Sequence, residues 1–500
     1  DGGRTSSGAP STTRVATPEP HPGPVLDADP FALGVASGDP LPDAVVLWTR
    51  LAPEPLADDG AGGMPDDDAE VAWEVAVDDA FEELVAAGVA TATAAHGHAV
   101  HVDATGLRPG TAYRYRFRYA DWTSPVGRTA TLADGSPDRF GLAVVNCQMR
   151  ESGRYGAYRH LVDEDVDAVL HLGDYIYEYP AGDGEGAPKP NRYLTTLADY
   201  RLRYASYKVD PHLQAAHARF PFVVTWDDHE VANNYMGDVL PEDADEAVGR
   251  ERKAAAYQAW WEHLPVRLDP PDGADLAVYR DLAVGDLVRL HVLDERQDSA
   301  VPPCRTDRAS TLTDEGDCEA RLGEDRSRLG AAQEGWLADS LGRGGVTWNL
   351  LGNPVVLAGV DAGTDEGSYY LDTWDGFPQA RERLIAQLAD VSNPVVLTGD
   401  YHAGMVLDVH ARPFEASSAV VAPEFMAPPI SSILFPADVS ARTPQLRQQH
   451  DAHGYLTVEV TPEALTATFR TIEDVTDEAT PIATAATWTV RAGDPVATEA

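Results

Sequence analysis

Side chains that can bind metal ions or phosphate follow a series of short apolar runs between residues 140 and 402 of this sequence. The groups are carboxylate, amide, phenol, thiol, imidazole and guanidinium side chains: Cys147, Asp174, Tyr177, Asp227, Asp228, His229, Asn233, Asn234, Asp294, Arg296, Asn353, Asp400 and His402. The carboxyl ends of parallel strands lie along one edge of a sheet, and such folds bind ligands there. We therefore expect these groups to converge on one site.

The mixture of ligand types predicts a mixed metal centre. Carboxylate and amide oxygens suit Ca²⁺, Mg²⁺ or Mn²⁺, whereas thiolate and imidazole suit zinc or iron. Asp227, Asp228 and Glu230 lie in one short stretch, where they would repel one another unless a cation neutralised them. Clustered cations stabilise the attacking and leaving oxygens of a displacement at phosphorus, and Arg296 could hold a phosphate oxygen.

Each of these residues also has a structural alternative. Cys147 could be a buried apolar cysteine, and Asp174 and Asp400, each preceded by glycine, could belong to turns at strand ends. His229 could be a metal ligand or could orient a neighbour. Arg296 could form an ordinary surface ion pair. The histidines expected to be structural are His263 and His291.

Residues 31–132 have the pattern of a β-domain. From Tyr113 to Tyr119, aromatic residues alternate with Arg114, Arg116 and Arg118, which predicts a strand with an aromatic face and a solvated charged face. Short strands separated by turn signals favour an immunoglobulin-like sandwich. The other strand-like runs are residues 45–51, 71–78, 99–107 and 126–132.

Beyond residue 135, apolar strands alternate with helical stretches, which predicts a layered αββα domain. The helical stretches are residues 155–164, 195–207, 243–264, 333–341 and 378–388. We thus predict an α+β/αβ protein with a flexible tail over residues 1–28, an immunoglobulin-like domain over 29–135 and a catalytic domain over 136–500.

Composition narrows the possible partners. The chain has 500 residues, 43% hydrophobic and 24% charged, which is ordinary for a globular protein. Its 81 acidic and 38 basic residues give a net charge of −43, which repels nucleic acids and anionic bilayers and leaves at most transient contact with a membrane surface. The apolar runs are too short for a transmembrane helix.

The cysteines indicate the compartment. Cys304 and Cys318 lie 14 positions apart in a stretch rich in Pro and Asp, and we interpret them as a disulfide, with two free loop thiols as the alternative. A disulfide implies an oxidising compartment, so we expect a secreted, extracellular or periplasmic protein whose export signal has been removed.

Nine motifs, in order along residues 31–462, resemble the secreted PhoD-type alkaline phosphatases and phosphodiesterases of the calcineurin-like metallophosphoesterase superfamily. The motifs are FALGVASGDPLPDAVVLWTRL (31–51), NCQ (146–148), HLGDYIYEY (171–179), WDDHEVANN (226–234), LDERQ (293–297), GNPV (352–355), DTWDGFPQARERL (372–384), LTGDYHAG (397–404) and HGYLTVEVTPE (453–463). Asn146 departs from the family, which usually has Ser at this position.

The resemblance implies a cluster of one Fe³⁺ and two Ca²⁺ ions. Iron would be held by Cys147, Asp174, Tyr177 and His402. Calcium would be held by Asp174, Asp228, Asn233 and Asp400. Arg296 would contact the phosphate, and the catalytic candidates are Arg296, His229 and Asp228.

The function expected from these residues is hydrolysis of phosphomonoesters and phosphodiesters through attack on phosphorus by metal-activated hydroxide or oxide, by a monomeric enzyme. An alternative is a phospholipase D-like phosphodiesterase that releases choline or ethanolamine, because the aromatic stretches at 175–179 and 369–374 could contact a cationic head group, although core packing also explains them. A third hypothesis, from another class, is a non-catalytic surface protein that binds calcium.

Overall fold

The computed structural model describes residues 17–18, 23, 26–182, 187–240, 246–301, 303–304, 312–314, 318–361, 368–435 and 439–500. The predicted tail, residues 1–28, lies largely outside this part of the chain.

The described chain forms the following strands: β1 Val35–Gly38, β2 Ala44–Arg50, β3 Ala69–Ala76, β4 Leu84–Ala92, β5 Ala99–Thr105, β6 Ala112–Tyr119, β7 Trp122–Thr123, β8 Gly127–Ala130, β9 Phe140–Val145, β10 Ala168–His171, β11 Pro221–Val224, β12 Arg280–Val284, β13 Val288–Val292, β14 Leu312–Asp314, β15 Trp348–Gly352, β16 Ser368–Tyr370, β17 Pro394–Thr398, β18 Gly404–His410, β19 Val420–Met426, β20 Leu446–His450, β21 His453–Val460, β22 Ala464–Ile472, β23 Ile482–Arg491 and β24 Thr498–Glu499.

The α-helices confirm the five predicted helical stretches and add one. They are α1 Gly156–Leu161, α2 Leu197–Lys208, α3 Pro211–Arg219, α4 Glu246–His263, α5 Gly330–Gly342 and α6 Pro378–Ala389. The sequence analysis missed α3. It begins with Asp210, whose side chain accepts hydrogen bonds from the backbone N–H groups of His212 and Leu213, and with Pro211 in its first turn, a typical start signal.

Two large sheets carry the predicted catalytic part of the chain. The first has ten strands in the order β24-β23-β22-β21-β9-β10-β11-β1-β2-β5, and the second has seven in the order β12-β13-β15-β17-β19-β18-β20. In the first, β9, β10 and β11 are parallel neighbours; in the second, β13, β15, β17 and β19 are. These strands are short and apolar and, apart from the start of β19 and one residue of β13, buried throughout, as expected for parallel strands covered on both faces.

The apolar side chains form separate layers of core. Val144 and Leu170 of the first sheet pack in one cluster with Leu350 and Leu397 of the second, so the two sheets face each other. A second cluster joins helices α1–α4 to the first sheet, and a third joins α5 and α6 to the second sheet. This arrangement presents the carboxyl ends of the parallel strands of both sheets to one region.

The first sheet also includes strands from the N-terminal part of the chain. Strand β1 pairs in parallel with β11, with Ser37 opposite Pro221, and antiparallel with β2. A further five-stranded sheet, β4-β3-β6-β7 with β8 on β6, completes this strand-rich region. In β6 the four aromatic side chains are buried and the arginines are partly exposed, and Arg116 pairs with Glu74 at 2.6 Å, so the predicted alternation is confirmed.

The predicted disulfide is confirmed. Cys304 and Cys318 are bonded, with their Cα atoms 5.7 Å apart, and Cys147 is a buried free cysteine. Within the part of the chain that the structure describes, no helix combines the length and apolar character needed to cross a bilayer.

Lys208, at the end of α2, is a buried cation between the N-terminal strands and the helices. Its Nζ lies 4.2 Å from the ring centroid of Trp48 and 5.6 Å from that of Tyr175, and burial lowers the pKa of Lys208 to about 7. The unfolded chain therefore binds one more proton than the folded chain between this value and the ordinary lysine pKa, so Lys208 makes the fold more stable as the pH rises through this window.

Replacing Lys208 with Met is expected to stabilise the fold most at low pH. The difference from wild type should shrink by up to about 1.4 kcal/mol for each pH unit of increase above about pH 7, measured by urea unfolding. Lys253, equally buried but paired with Asp238 at 3.1 Å, is the matched control, because Lys253→Met removes a paired charge and should destabilise the fold. A Lys208→Met variant with the same pH dependence as wild type would contradict the prediction.

Candidate metal centre

The predicted ligands come together where the parallel strands of both sheets end. Three groups of side chains each have ligand atoms within 4.8 Å of one another: Cys147, Asp174 and His402; Asp174, Asp228 and His229; and Asp227, Asp228 and Asp400. Asp174 and Asp228 each belong to two groups and so link all three. The convergence predicted from the strand ends is therefore present in the fold.

The remaining two predicted ligands also reach this centre. The Tyr177 hydroxyl donates to Asp174 Oδ2 at 2.9 Å and lies 3.2 Å from His402 Nε2. Cys147 Sγ lies 3.4 Å from the same oxygen of Asp174. Asn233 lines the cavity described below.

Four of the seven predicted ligands have left-handed backbone conformations that residues other than glycine rarely adopt. The φ angles are 51° for Cys147, 56° for Asp174, 64° for Asp400 and 55° for His402. Such a conformation costs about 1–3 kcal/mol and persists where the surrounding structure enforces it, often at functional sites. The fold therefore holds these ligand-bearing turns in place at an energetic cost.

Four buried acidic groups at this centre have pKa values shifted in favour of their protonated forms. Burial, together with the charges of nearby carboxylates, raises the pKa of Cys147, Asp174 and Asp400 well above their ordinary values. Burial and the charge of Asp174 raise the pKa of Tyr177 in the same way. A bound cation would favour the ionised forms of all four groups.

The residues fit a mixed metal cluster. A thiol, a phenol and an imidazole lie beside several carboxylates, the donor set expected for a transition metal next to harder cations. The buried oxygens Asp227 Oδ2 and Asp228 Oδ1 have no hydrogen-bond partner among the described residues. Because a buried carboxylate oxygen without a partner is costly, the site has acceptors that a cation would satisfy.

Two of the three clustered carboxylates have partners within the protein, so a cation is not the only group that can offset their mutual repulsion. Glu230 accepts hydrogen bonds from the backbone N–H groups of Asp174, Tyr175 and Asp227 at 3.1, 2.7 and 3.0 Å. Asp227 accepts a hydrogen bond of 2.5 Å from Arg296 Nε. Only Asp228 of this trio lines the cavity.

Arg296 is a buried residue, so the alternative of a surface ion pair was wrong. Its Nη1 donates to both oxygens of Asp372 at 2.9 and 3.0 Å, and its Nη2 lies 3.7 Å from Asp228 Oδ1. Although burial raises the pKa of Asp228, His229 and Arg296 lower it to about 2. Arg296 therefore helps to hold the Asp228 carboxylate ionised.

His229 lies at the wall of the cavity and is oriented by a carboxylate. Its Nδ1 is 2.8 Å from Glu178 Oε2, and its ring packs 4.2 Å from the ring of Tyr177. Burial lowers the pKa of His229, but the phenol of Tyr179 and the charges of Asp228 and other carboxylates raise it well above the ordinary value. These neighbouring groups therefore favour the protonated imidazole, the form that has no free lone pair for a metal ion.

Five of the seven predicted ligands line a cavity of about 260 Å³, namely Asp174, Asp228, Asn233, Asp400 and His402. One side is polar and the other is aromatic. The lining residues are Asp174, Asp228, His229, Asn233, Asn234, Tyr370, Asp372, Thr373, Asp400, Tyr401, His402 and Phe435.

Other predicted residues have structural roles. Asp294 accepts hydrogen bonds from Trp226 Nε1 and from the backbone N–H of Arg296. Asn353 donates to the backbone carbonyl of Val355. His263 contacts Arg50, and His291 contacts Asn349 at 3.2 Å, so both histidines are structural as expected.

The sequence analysis did not identify Glu178, Asp372 and Ser432 as residues of the centre, nor the structural role of Glu230. Glu178 and Asp372 lie inside the motifs HLGDYIYEY and DTWDGFPQARERL, and their carboxylates could have marked them as candidate site residues. Ser432 lies in an ordinary loop sequence and gave no signal.

Comparisons with known proteins agree with this geometry. Residues 142–469 match the family model of PhoD-like phosphatase, and residues 17–133 match that of its N-terminal domain. The chain is 40% identical to alkaline phosphatase D of Bacillus subtilis (strain 168) over 490 residues, which cover 94% of this chain and 82% of that protein.

A solved structure of PhoD is similar along nearly the whole chain. Its TM-score is 0.90 at 38% identity, with 95% of this chain and 93% of that chain covered. The two family models match in the expected order, and both the relative and the solved structure are similar along nearly the whole chain. The centre at the strand ends combines thiol, phenol, imidazole and carboxylate groups. On this evidence the chain belongs to the PhoD-like phosphatase family.

Proposed function

We propose that this chain is a metal-dependent phosphoesterase that hydrolyses phosphomonoesters and phosphodiesters at neutral to alkaline pH. The observation that carries the proposal is the convergence of Cys147, Asp174, Tyr177 and His402 with Asp228 and Asp400 beside one cavity. The relative from Bacillus subtilis is named an alkaline phosphatase. The phosphoryl group would lie in the polar half of the cavity.

The proposed metals are one Fe³⁺ and two Ca²⁺ ions. Cys147, Tyr177 and His402 would hold iron together with Asp174, which would also bind calcium. The proposed calcium ligands are Asp174, Asp228, Asn233 and Asp400. When bound, these metals supply Lewis acidity that activates water and offsets charge on the phosphoryl oxygens.

The surrounding residues orient the site and move protons. Glu178 holds Nδ1 of His229 and also accepts from the backbone N–H of Asn233 at 2.7 Å, so it couples the imidazole to a predicted ligand. The His229 Nε2–H would donate a proton to the oxygen of the leaving alcohol. Arg296 would hold Asp228 and Asp372 in place. Its side chain is fully buried and is not among the residues that line the cavity, so the phosphate contact expected from the sequence stays a prediction.

The finer organisation is part of the same proposal. The pairing of two sheets with helices outside each supports an αββα layout for residues 136–500, and the strand-rich region supports an immunoglobulin-like unit over 29–135. The disulfide between Cys304 and Cys318 supports secretion into an extracellular or periplasmic space. We also propose that the enzyme acts as a monomer with at most transient membrane contact.

A second candidate function is release of choline or ethanolamine from phospholipids, as a phospholipase D-like phosphodiesterase. Tyr370, Tyr401 and Phe435 form an aromatic wall of the cavity, with ring centroids 6.0 Å apart for Tyr370 and Tyr401 and 5.1 Å for Tyr401 and Phe435. None of the described lining residues is Lys or Arg. Aromatic rings beside carboxylates attract a cationic alcohol, and Ile433, 71% exposed, lies two residues from Phe435.

The two candidates predict different responses to one set of substrates. We expect p-nitrophenyl phosphate and its bis ester to be turned over faster than phosphatidylcholine vesicles, because the metal ligands recognise phosphate and not the alcohol. A dominant choline release from the vesicles would instead favour the second function. No metal-dependent turnover of any of the three would overturn both.

Variants of the aromatic wall separate the two functions further. Phe435→Ala should raise KM for phosphocholine more than for glycerol phosphate, by about fivefold if a cation–π contact of about 1 kcal/mol is lost. Val89→Ala, on an exposed strand of the N-terminal sheet, is the control and should leave both KM values unchanged. Equal changes in KM for the two substrates would contradict an aromatic subsite for the cationic alcohol.

A further inference from the structure

One loop, residues 427–435 after β19, is hydrogen-bonded to three of the four proposed iron ligands. The backbone N–H of Ser432 donates to the Cys147 carbonyl at 3.1 Å, and the backbone N–H of Phe435 donates to the His402 carbonyl at 3.2 Å. The Ser432 hydroxyl lies 2.7 Å from the Tyr177 hydroxyl. These ligands belong to different strand ends, and this loop ties them together.

The Ser432 hydroxyl is the point where two of these ligands meet. Its oxygen accepts from the Met149 backbone N–H at 3.2 Å and lies 2.7 Å from the Cys147 carbonyl. The side chain is fully buried, so water does not replace these contacts. A hydroxyl has one proton and two acceptor sites, and both candidate acceptors of that proton, the Cys147 carbonyl and the Tyr177 oxygen, are on ligand residues.

The direction of the hydrogen bond between the Ser432 and Tyr177 hydroxyls depends on whether the Tyr177 oxygen carries a proton. In the structure the Tyr177 hydroxyl donates to Asp174 Oδ2, and the Ser432 proton can go to the Cys147 carbonyl. A phenol that coordinates a metal ion gives up its proton, and its oxygen then accepts a hydrogen bond. The Ser432 hydroxyl is the neighbour placed to donate that bond.

We propose that Ser432 is a positioning residue for the metal centre, which fixes the Tyr177 oxygen relative to the backbone of Cys147 and donates a hydrogen bond to that oxygen when it is a metal ligand. The proposal rests on the proposed iron site. Hydrogen-bond partners of metal ligands orient the ligands and tune the metal, and their loss commonly lowers metal affinity about 10–100-fold.

Ser431 offers a matched control in the same loop. Its side chain is also fully buried, and its hydroxyl donates to the Met149 backbone carbonyl at 2.9 Å. Within the described residues, the Ser431 hydroxyl thus hydrogen-bonds to a backbone carbonyl that is not on a ligand residue. Ser431→Ala therefore reproduces the loss of a buried hydroxyl in this loop without touching Tyr177.

The test compares Ser432→Ala, Ser431→Ala and wild type loaded with ferric iron. Iron affinity is measured by competition with a chelator, and the phenolate-to-iron absorption band is recorded in the visible range. We expect Ser432→Ala to shift the band and to lower affinity about 10–100-fold, whereas Ser431→Ala should keep the wild-type band and an affinity within about threefold. Thermal unfolding of the metal-free variants checks that both fold.

A Tyr177→Phe background separates positioning from general loosening of the loop. In the Tyr177→Phe protein, Ser432→Ala should lower iron affinity much less than it does in the protein that retains Tyr177, because the phenol oxygen that Ser432 contacts is absent. An unchanged band and affinity in Ser432→Ala, or an equal loss in the Tyr177→Phe background, would overturn the proposal. If wild type itself binds no iron and shows no band, the proposed iron site fails instead.

Discussion

Replacing Asp174 with Asn is expected to lower phosphoesterase activity by more than about 100-fold and to remove iron and calcium together, since loss of a direct ligand should cost more than loss of its hydrogen-bond partners. Asp174 belongs to two of the three ligand groups. Its Oδ2 contacts Cys147 and Tyr177, and its Oδ1 accepts from the backbone N–H of His229 at 3.4 Å. Asn keeps the shape but removes the charge that a shared ligand needs.

The measurement is hydrolysis of p-nitrophenyl phosphate together with the metal content of the purified variant. Asp210→Asn is the control, because Asp210 is also a buried aspartate but caps α3 and pairs with Arg150 at 3.1 Å. That control keeps an N-cap side chain, should lose at most about 1 kcal/mol of stability through the ion pair with Arg150, and should keep its metals. Retained iron with undiminished activity in the Asp174 variant would refute the metal-dependent mechanism.

Removing the metals with EDTA is expected to abolish activity and to destabilise the fold more at high pH than at low pH. Burial raises the pKa of Asp174 and Asp400 well above that of an aspartate in the unfolded chain. At these two groups the folded metal-free protein then binds more protons than the unfolded chain, so their contribution to stability is greatest below about pH 4 and is lost as the pH rises through the raised pKa values. Bound cations remove this penalty because they replace the protons.

The experiment is thermal unfolding of the chelated and the metal-loaded enzyme at about pH 5 and about pH 9, with activity measured in parallel. The gap in Tm between the two forms should be larger at the higher pH, because the chelated form loses stability across this range. Adding calcium and iron back should restore both Tm and turnover. An activity that survives chelation would refute the calcium assignment, and an equal Tm gap at both pH values would refute the protonation argument.

The sequence was sufficient to predict which side chains converge, because their positions follow from a simple rule of strand geometry. Asp174, Asp228 and Asp400 each follow a short apolar strand within four residues, and parallel strands of buried sheets end at a common edge. The αββα layers and the ligand roles stay predictions at this level.

The partners of the ligands could not be predicted, because they depend on contacts between residues far apart in the chain. Glu230 accepts hydrogen bonds from backbone N–H groups of two different loops. In the sequence, such a carboxylate cannot be distinguished from a metal ligand. Arg296 meets Asp372 from another strand end. Helix α3 was missed for a different reason: it is short, and only two residues separate it from the end of α2.

The parallel pairing of β1 with β11 constrains how this protein can be divided or recombined. The two family models meet between residues 133 and 142, yet the ten-stranded sheet runs across that boundary. A gene fragment beginning at residue 136 would leave β11 as an apolar edge with unpaired backbone groups, and such edges pair with other chains. The N-terminal domain therefore cannot be exchanged freely at this boundary, because any replacement domain must supply a strand that pairs with β11.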